Sequence, residues 1–320
     1  MNNNIQREDI HTINRYANLQ EKEVENALKK YVYADRESWQ RFLCLLFISL
    51  GVGFTVTGIV FFFAYNWADL HKFIKIGLTE GLVILTTILA LRLNTSQTIK
   101  NIILSGSAVL VGVLFAVFGQ IYQTGANAYD FFLGWTLFIS LWVIISNFAP
   151  LWVIFLTLIN TTLILYSQQV AKDWSGIFVC TLLFSINTII LLGAILISNY
   201  KKSAAIPHWF IYIIALAATT FATLGIIWGI LDEYQEAFLL LLLLTTGIFS
   251  LGIRYGLKTQ NRFYLSIISF SLIVIGATFL FEQSSSAMMF LFVCLFIITG
   301  ITLIIKMLTS IKKKQQSNEE

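Results

Sequence analysis

The sequence predicts an all-α fold: a polytopic integral membrane bundle of ten transmembrane helices, preceded by a short amphipathic helical segment. Three observations predict it. Ten apolar stretches have membrane-crossing length, the basic residues switch sides between them, and none of the stretches alternates apolar with polar residues. A helix needs roughly 20 apolar residues to cross a bilayer's hydrocarbon core. It also satisfies its backbone hydrogen bonds internally, as lipid demands, whereas a membrane β-barrel strand would alternate strictly.

Residues 1–41 form the one sizeable polar piece. Val24, Ala27, Leu28, Tyr31 and Val32 recur at helical spacing, which predicts two short amphipathic helices over about 6–17 and 19–34. Asn18 followed by Glu21 resembles a capping box opening the second. Forty residues bury little core alone, so 6–34 reads either as a helix lying on the inner leaflet or as a docking surface for a cytoplasmic partner. A polar segment of this length ahead of a long first apolar run does not read as a cleavable signal peptide.

The transmembrane domain spans 42–309, with helices predicted at 42–64, 73–92, 100–122, 130–147, 150–167, 175–198, 208–231, 237–254, 263–281 and 287–309. The tight Ser146-Asn147-Phe148-Ala149-Pro150 turn leaves open one kinked or re-entrant element in place of the fourth and fifth helices. Trp39, Trp67, Trp152, Trp174 and Trp209 lie near helix ends, as interfacial anchors do. The charged, polar tail 310–320 predicts disorder.

Charge placement sets the orientation. With ten crossings and a cytoplasmic N-terminus, all but Lys72, Lys75 and Lys172 of the 21 Lys and Arg residues face the cytoplasm. That is the positive-inside bias, with both termini inside. A chain 57% hydrophobic and 12% charged is a membrane protein, and its net charge of +4 sits in inner loops and tail. Contact with anionic lipid explains that charge without a nucleic-acid partner.

Chemistry-bearing motifs are missing from the sequence. It shows no phosphate loop, dinucleotide fingerprint, zinc motif or nucleophile elbow, so no enzyme, cofactor or metal is predicted. His11, His71 and His208 are scattered over two sides of the membrane, and Cys44, Cys180 and Cys294 fall inside separate apolar helices. Those cysteines read as packing residues.

Small-residue stripes mark close helix contacts. Gly51, Thr55 and Gly58 share a face of the first helix, and Ser105, Ala108, Gly112, Ala116 and Gly119 a face of the third. Val111 then falls on the lipid side. The middles of the fifth and sixth helices carry Asn160 and Asn187, a pattern that predicts an interhelical hydrogen bond.

In the second helix Lys72, Lys75, Thr79, Glu80, Thr86 and Thr87 fall in one sector. Glu80 is seven residues below Phe73, roughly 10 Å into the membrane. A carboxylate so deep is protonated, paired or hydrated, which makes Glu80 the candidate functional acid. Asn66, Asp69, His71, Gln120, Tyr122 and Asp130 lie at the outer ends of the first four helices and form a candidate vestibule above it.

Residues from about Trp39 to Trp142 resemble bacterial membrane proteins of the domain-of-unknown-function 2157 family. The resemblance rests on a Gly-rich first span ending in Asn66-Trp67, then Gln120-Ile121-Tyr122, Gly125 and Trp135. Ala126 stands where an acidic residue is expected after the glycine, with Asp130 four residues on. The resemblance implies a multi-pass protein of the bacterial inner membrane and no particular activity.

Two functions fit this reading. One is transport of a small, unidentified solute or protons through a pocket lined by the second helix. The other is a non-transporting scaffold or sensor that docks a partner through its N-terminal helices.

Overall fold

Apolar runs without internal proline become long helices, because a buried backbone has no other way to satisfy its polar groups. The computed structural model describes residues 7–17, 19–33, 35–66, 68, 70–122, 125, 127–200, 206–232, 236–283 and 286–319. Among these there are twelve helices and no strand. They are α1 (Arg7–Ala17), α2 (Glu21–Tyr31), α3 (Arg36–Tyr65), α4 (Lys72–Arg92), α5 (Gln97–Tyr122), α6 (Ala128–Ser146), α7 (Ala149–Gln169), α8 (Gly176–Tyr200), α9 (His208–Leu231), α10 (Glu236–Lys258), α11 (Arg262–Glu282) and α12 (Ala287–Glu319). The ten from α3 to α12 are long and apolar enough to cross a membrane. The fold is therefore the polytopic helical bundle that hydropathy predicts.

The chain forms two compact units, Met1–Tyr122 and Gln123–Glu320. In the first, α1 and α2 pack together and bury Ile10 and Leu28. The capping box that opens α2 is Gln20 with Glu23, whose carboxylate accepts from the Gln20 amide at 2.9 Å. It lies two residues past the predicted Asn18–Glu21 pair, and Asn18 falls outside the described residues. Asp35 caps α3, accepting from the Ser38 amide at 2.9 Å.

Within this unit α5 is the central helix, packed on both α3 and α4. It buries Gly106, Ser107, Ala108, Leu110, Val111 and Gly112, which surround its axis rather than marking one stripe. Val111 is fully buried, a correction to its predicted lipid-facing position. A helix with neighbours on two sides has no single contact face for residue spacing to reveal. Gly112 is buried, and a Cβ built at Gly51, Gly58 or Gly119 would meet nothing within 4 Å. The close approach of α3 and α5 runs instead through Gly106, where a Cβ would come within 2.5 Å of Val52 Cγ1.

The second unit is built around α9, which touches α7, α8, α10 and α11. Its buried residues Ile211, Ile214, Ala215, Ala218, Ala222, Gly225, Ile226 and Gly229 step by one, three or four. Ile177, Phe184, Leu241, Phe249 and Ile268 pack with Ala218, Ala222 and Ile226 as the core. Four of the close approaches use glycine: Gly225 against Cys180 and Leu241, Gly229 against Phe238, Gly252 against Ile268 and Gly276 against Phe296.

Helices α6 and α7 are separate rather than one kinked element, each is long and apolar enough to cross a membrane, and they pack as a tight hairpin. Asn147 ends α6 in the left-handed region (φ 44°), and Pro150 opens α7 in its first turn. Asparagine tolerates that conformation, and proline suits a helix start because its missing N–H would be unpaired there anyway. Where composition predicts a disordered tail, α12 continues through Glu319. Lysine and glutamine are good helix formers.

Candidate functional site

The polar sector of α4 divides on folding. Lys75 and Thr79 turn into the unit with Val83 and Ala90 and are buried. The threonine hydroxyls are used within the helix itself. Thr79 donates to the Lys75 carbonyl at 2.9 Å, Thr86 to Leu82 at 2.7 Å and Thr87 to Val83 at 2.7 Å. Such back-bonding makes threonine compatible with an apolar setting and leaves no spare donor for a hydrated path.

Glu80 lies off that buried face. It is exposed, on a stripe with Gly77, Gly81, Ile84 and Ile88, and a Cβ at either glycine would meet nothing within 4 Å. A cleft of about 320 Å³ between α3 and α4, lined by Thr55, Gly58, Ile59, Phe62, Phe63, Leu78 and Leu82, is apolar and does not include Glu80, which lies on the other side of α4.

The candidate vestibule residues are mostly explained by local structure. Asn66 closes α3, with its backbone and side-chain nitrogens both donating to the Phe62 carbonyl, at 3.0 and 2.9 Å. His71 is the exposed N-cap of α4, its ring 5.5 Å from Phe73. Gln120 and Tyr122 are exposed at the end of α5, where Tyr122 packs on Phe118 at 4.5 Å. Asp130 belongs to the second unit and accepts from the Asn127 amide at 3.2 Å to cap α6. Asp69 lies outside the described residues.

The second unit carries several polar contacts between helices. Asn160 and Asn187 bond reciprocally across α7 and α8. The hydroxyls of Thr223 on α9 and Ser271 on α11 are 2.6 Å apart. The Tyr129 amide donates to Gln169 Oε1 at 3.0 Å, tying the start of α6 to the end of α7. Asn261 donates to the Tyr212 hydroxyl at 3.0 Å, beside a stack of Tyr212 on Phe263. Sequence reasoning singled out the asparagines. It missed the Thr223–Ser271 and Tyr129–Gln169 contacts, because hydroxyl and amide side chains are common in these helices and nothing in their spacing names a partner.

Several cavities of this unit have ligand-sized volumes: one of about 660 Å³ among α9, α11 and α12 is largely apolar, and two others carry more distinctive linings. One, of about 430 Å³ near the α7–α8 connection, has Ser167, Gln168 and Lys172 among its polar lining and Trp174 and Trp228 among its aromatic walls. The other, of about 320 Å³, lies among α8, α9, α10 and α11 and is apolar but for a few hydroxyls. Among the described residues no group of His, Cys, Asp and Glu is placed to hold a metal ion.

The ten helices among the described residues that are long and apolar enough to cross a membrane define a multi-pass helical membrane protein. Residues 12–152 match the family model described as predicted membrane protein (DUF2157), the family that Asn66-Trp67 and Gln120-Ile121-Tyr122 resemble. Neither a curated protein nor a solved structure matches the chain.

Proposed function

We propose that this protein is a non-transporting membrane scaffold or sensor of the bacterial cytoplasmic membrane, with both termini in the cytoplasm, that docks a protein partner through its N-terminal helical hairpin. The carrying observation is the surface of α1–α2. The hairpin buries Ile10 and Leu28 and leaves Ile13, Tyr16, Tyr31 and Tyr33 about half exposed or more. Aromatic residues on a preformed helical surface are typical interface anchors.

Its charge also favours a protein over a lipid surface. Arg7, Arg15, Lys22, Lys29 and Lys30 are balanced by Glu8, Asp9, Glu21, Glu23 and Glu25. Adsorption to anionic lipid needs a basic excess, which this hairpin lacks. The basic inner loops and the even number of candidate spans support the orientation.

Transport through the second helix needs a hydrated path to Glu80. The exposed position of that residue and the back-bonded threonines beside it give such a path no support.

The test is photocrosslinking in cells, with the photoreactive residue placed at Tyr16 or Tyr31 of the full-length chain. The proposal expects a protein adduct of defined size that is lost when Ile13 is changed to Glu. Adducts to lipid alone, or no adduct from either position, contradict it.

A further inference from the structure

The cavity among α8, α9, α10 and α11 holds a buried hydroxyl with nothing to bond. Thr188 is 6% exposed and lines it, and its Oγ1 has no hydrogen-bond partner. Other hydroxyls nearby behave differently. Thr181 and Ser185 on the same helix donate to the carbonyls four residues back, at 2.7 Å each, and Thr219 across the cavity does so at 2.8 Å. Thr188 has the same option in a continuous helix and does not use it. Unpaired hydroxyls are rare in interiors because their desolvation is uncompensated.

The walls indicate what would pair with it. Phe184, Phe249, Tyr255 and Tyr264 bring aromatic rings to the cavity, and aliphatic residues make up most of the rest. No ammonium, guanidinium or carboxylate lines it, so a charged ligand would go uncompensated. Filling this volume with water would need two to four polar partners for each molecule, and the lining offers only a few hydroxyls. A volume of about 320 Å³ falls within the range of small-molecule sites, which combine apolar walls with a few fixed polar groups.

We propose that this cavity binds a neutral, membrane-dissolved molecule with an apolar ring body and one carbonyl group, which accepts the hydrogen of the Thr188 hydroxyl. The site lies wholly in the second unit and is independent of the docking surface on α1–α2.

The test uses purified full-length protein and two probes of matched shape, naphthyl methyl ketone and ethylnaphthalene, which differ in the carbonyl. Saturable binding is followed by probe fluorescence and competition. The ketone should bind about tenfold more tightly than the hydrocarbon, the worth of one buried hydrogen bond. Thr188→Val keeps the shape and should erase that preference, while Thr188→Ser should retain it. Leu192 is half exposed where it borders the cavity, and Leu192→Trp should block both probes without disturbing the core. Equal binding of the two probes to the wild-type protein overturns the proposal. So does a preference that survives Thr188→Val, binding that ignores Leu192→Trp, or no saturable binding.

Discussion

Asn187 on α8 donates to Asn160 Oδ1 on α7 at 2.8 Å, and Asn160 donates back to Asn187 Oδ1 at 3.3 Å. Asn187 Nδ2 also reaches the Leu183 carbonyl at 2.8 Å, so a nearly buried amide is paired on both its oxygen and its nitrogen. In lipid an amide has no water to fall back on, and the two helices are held in register by this exchange.

Replacing one asparagine strands the other. Asn187→Leu should destabilise the protein by about 1–2 kcal/mol, and the double change Asn160→Leu with Asn187→Leu should cost less than the two single changes summed. A double-mutant cycle on unfolding in detergent measures the coupling. Strict additivity would mean that the pair contributes nothing.

Glycines at close helix contacts and glycines facing open space should respond oppositely to alanine. At Gly225 a Cβ would lie 2.8 Å from Cys180 Cβ, which cannot swing away, and at Gly229 it would run into the Phe238 ring. Alanine at either position should cost about 1–3 kcal/mol through overpacking. Gly51→Ala and Gly77→Ala meet open space and should be neutral or stabilising by up to about 1 kcal/mol, the helix-propensity gain. Thermal unfolding of the four variants checks the contrast.

The start of α3 should be sensitive to acid. The Ser38 hydroxyl and amide hold the Asp35 carboxyl below its usual range. With the folded value depressed, the cap contributes fully above the ordinary carboxylate pKa and is lost as pH falls through the folded value. The protection of the Ser38 amide, its exchange rate relative to an unstructured amide at the same pH, should therefore fall at low pH. Asp35→Asn, a cap without a titrating proton, should flatten that dependence, and an unchanged profile in the variant would assign it elsewhere.

Orientation can be read with reporters active only outside the cytoplasm. Fusions after Tyr129 or Asp232 should be active and fusions after Lys201 or Lys258 silent, as the basic loops require. Activity at every site, or the reverse pattern, would overturn it.

The spans were legible in the sequence because lipid leaves the backbone few choices, and the Asn147–Pro150 turn declared itself through residues suited to a left-handed cap and a helix start. Packing was less legible. Gly225/Gly229 and Gly252/Gly256 have the same four-residue spacing as Gly77/Gly81, yet the first two pairs meet side chains and the third does not. Spacing reports that a face is small, and only the neighbours decide whether it is used. Glu80 shows the same limit. Its depth follows from counting residues, but Thr79, one position away and about 100° around the helix, takes the buried side. Thr188 carries no sequence signal at all, since what distinguishes it from Thr181 is a hydrogen bond it does not make.

Proton flux into proteoliposomes tests most directly the claim that the chain docks a partner rather than conducting through its second helix. With an imposed pH gradient, vesicles holding the wild-type protein and vesicles holding Glu80→Gln should both leak no faster than empty vesicles. A flux carried by the wild-type protein and abolished by Glu80→Gln would contradict the account.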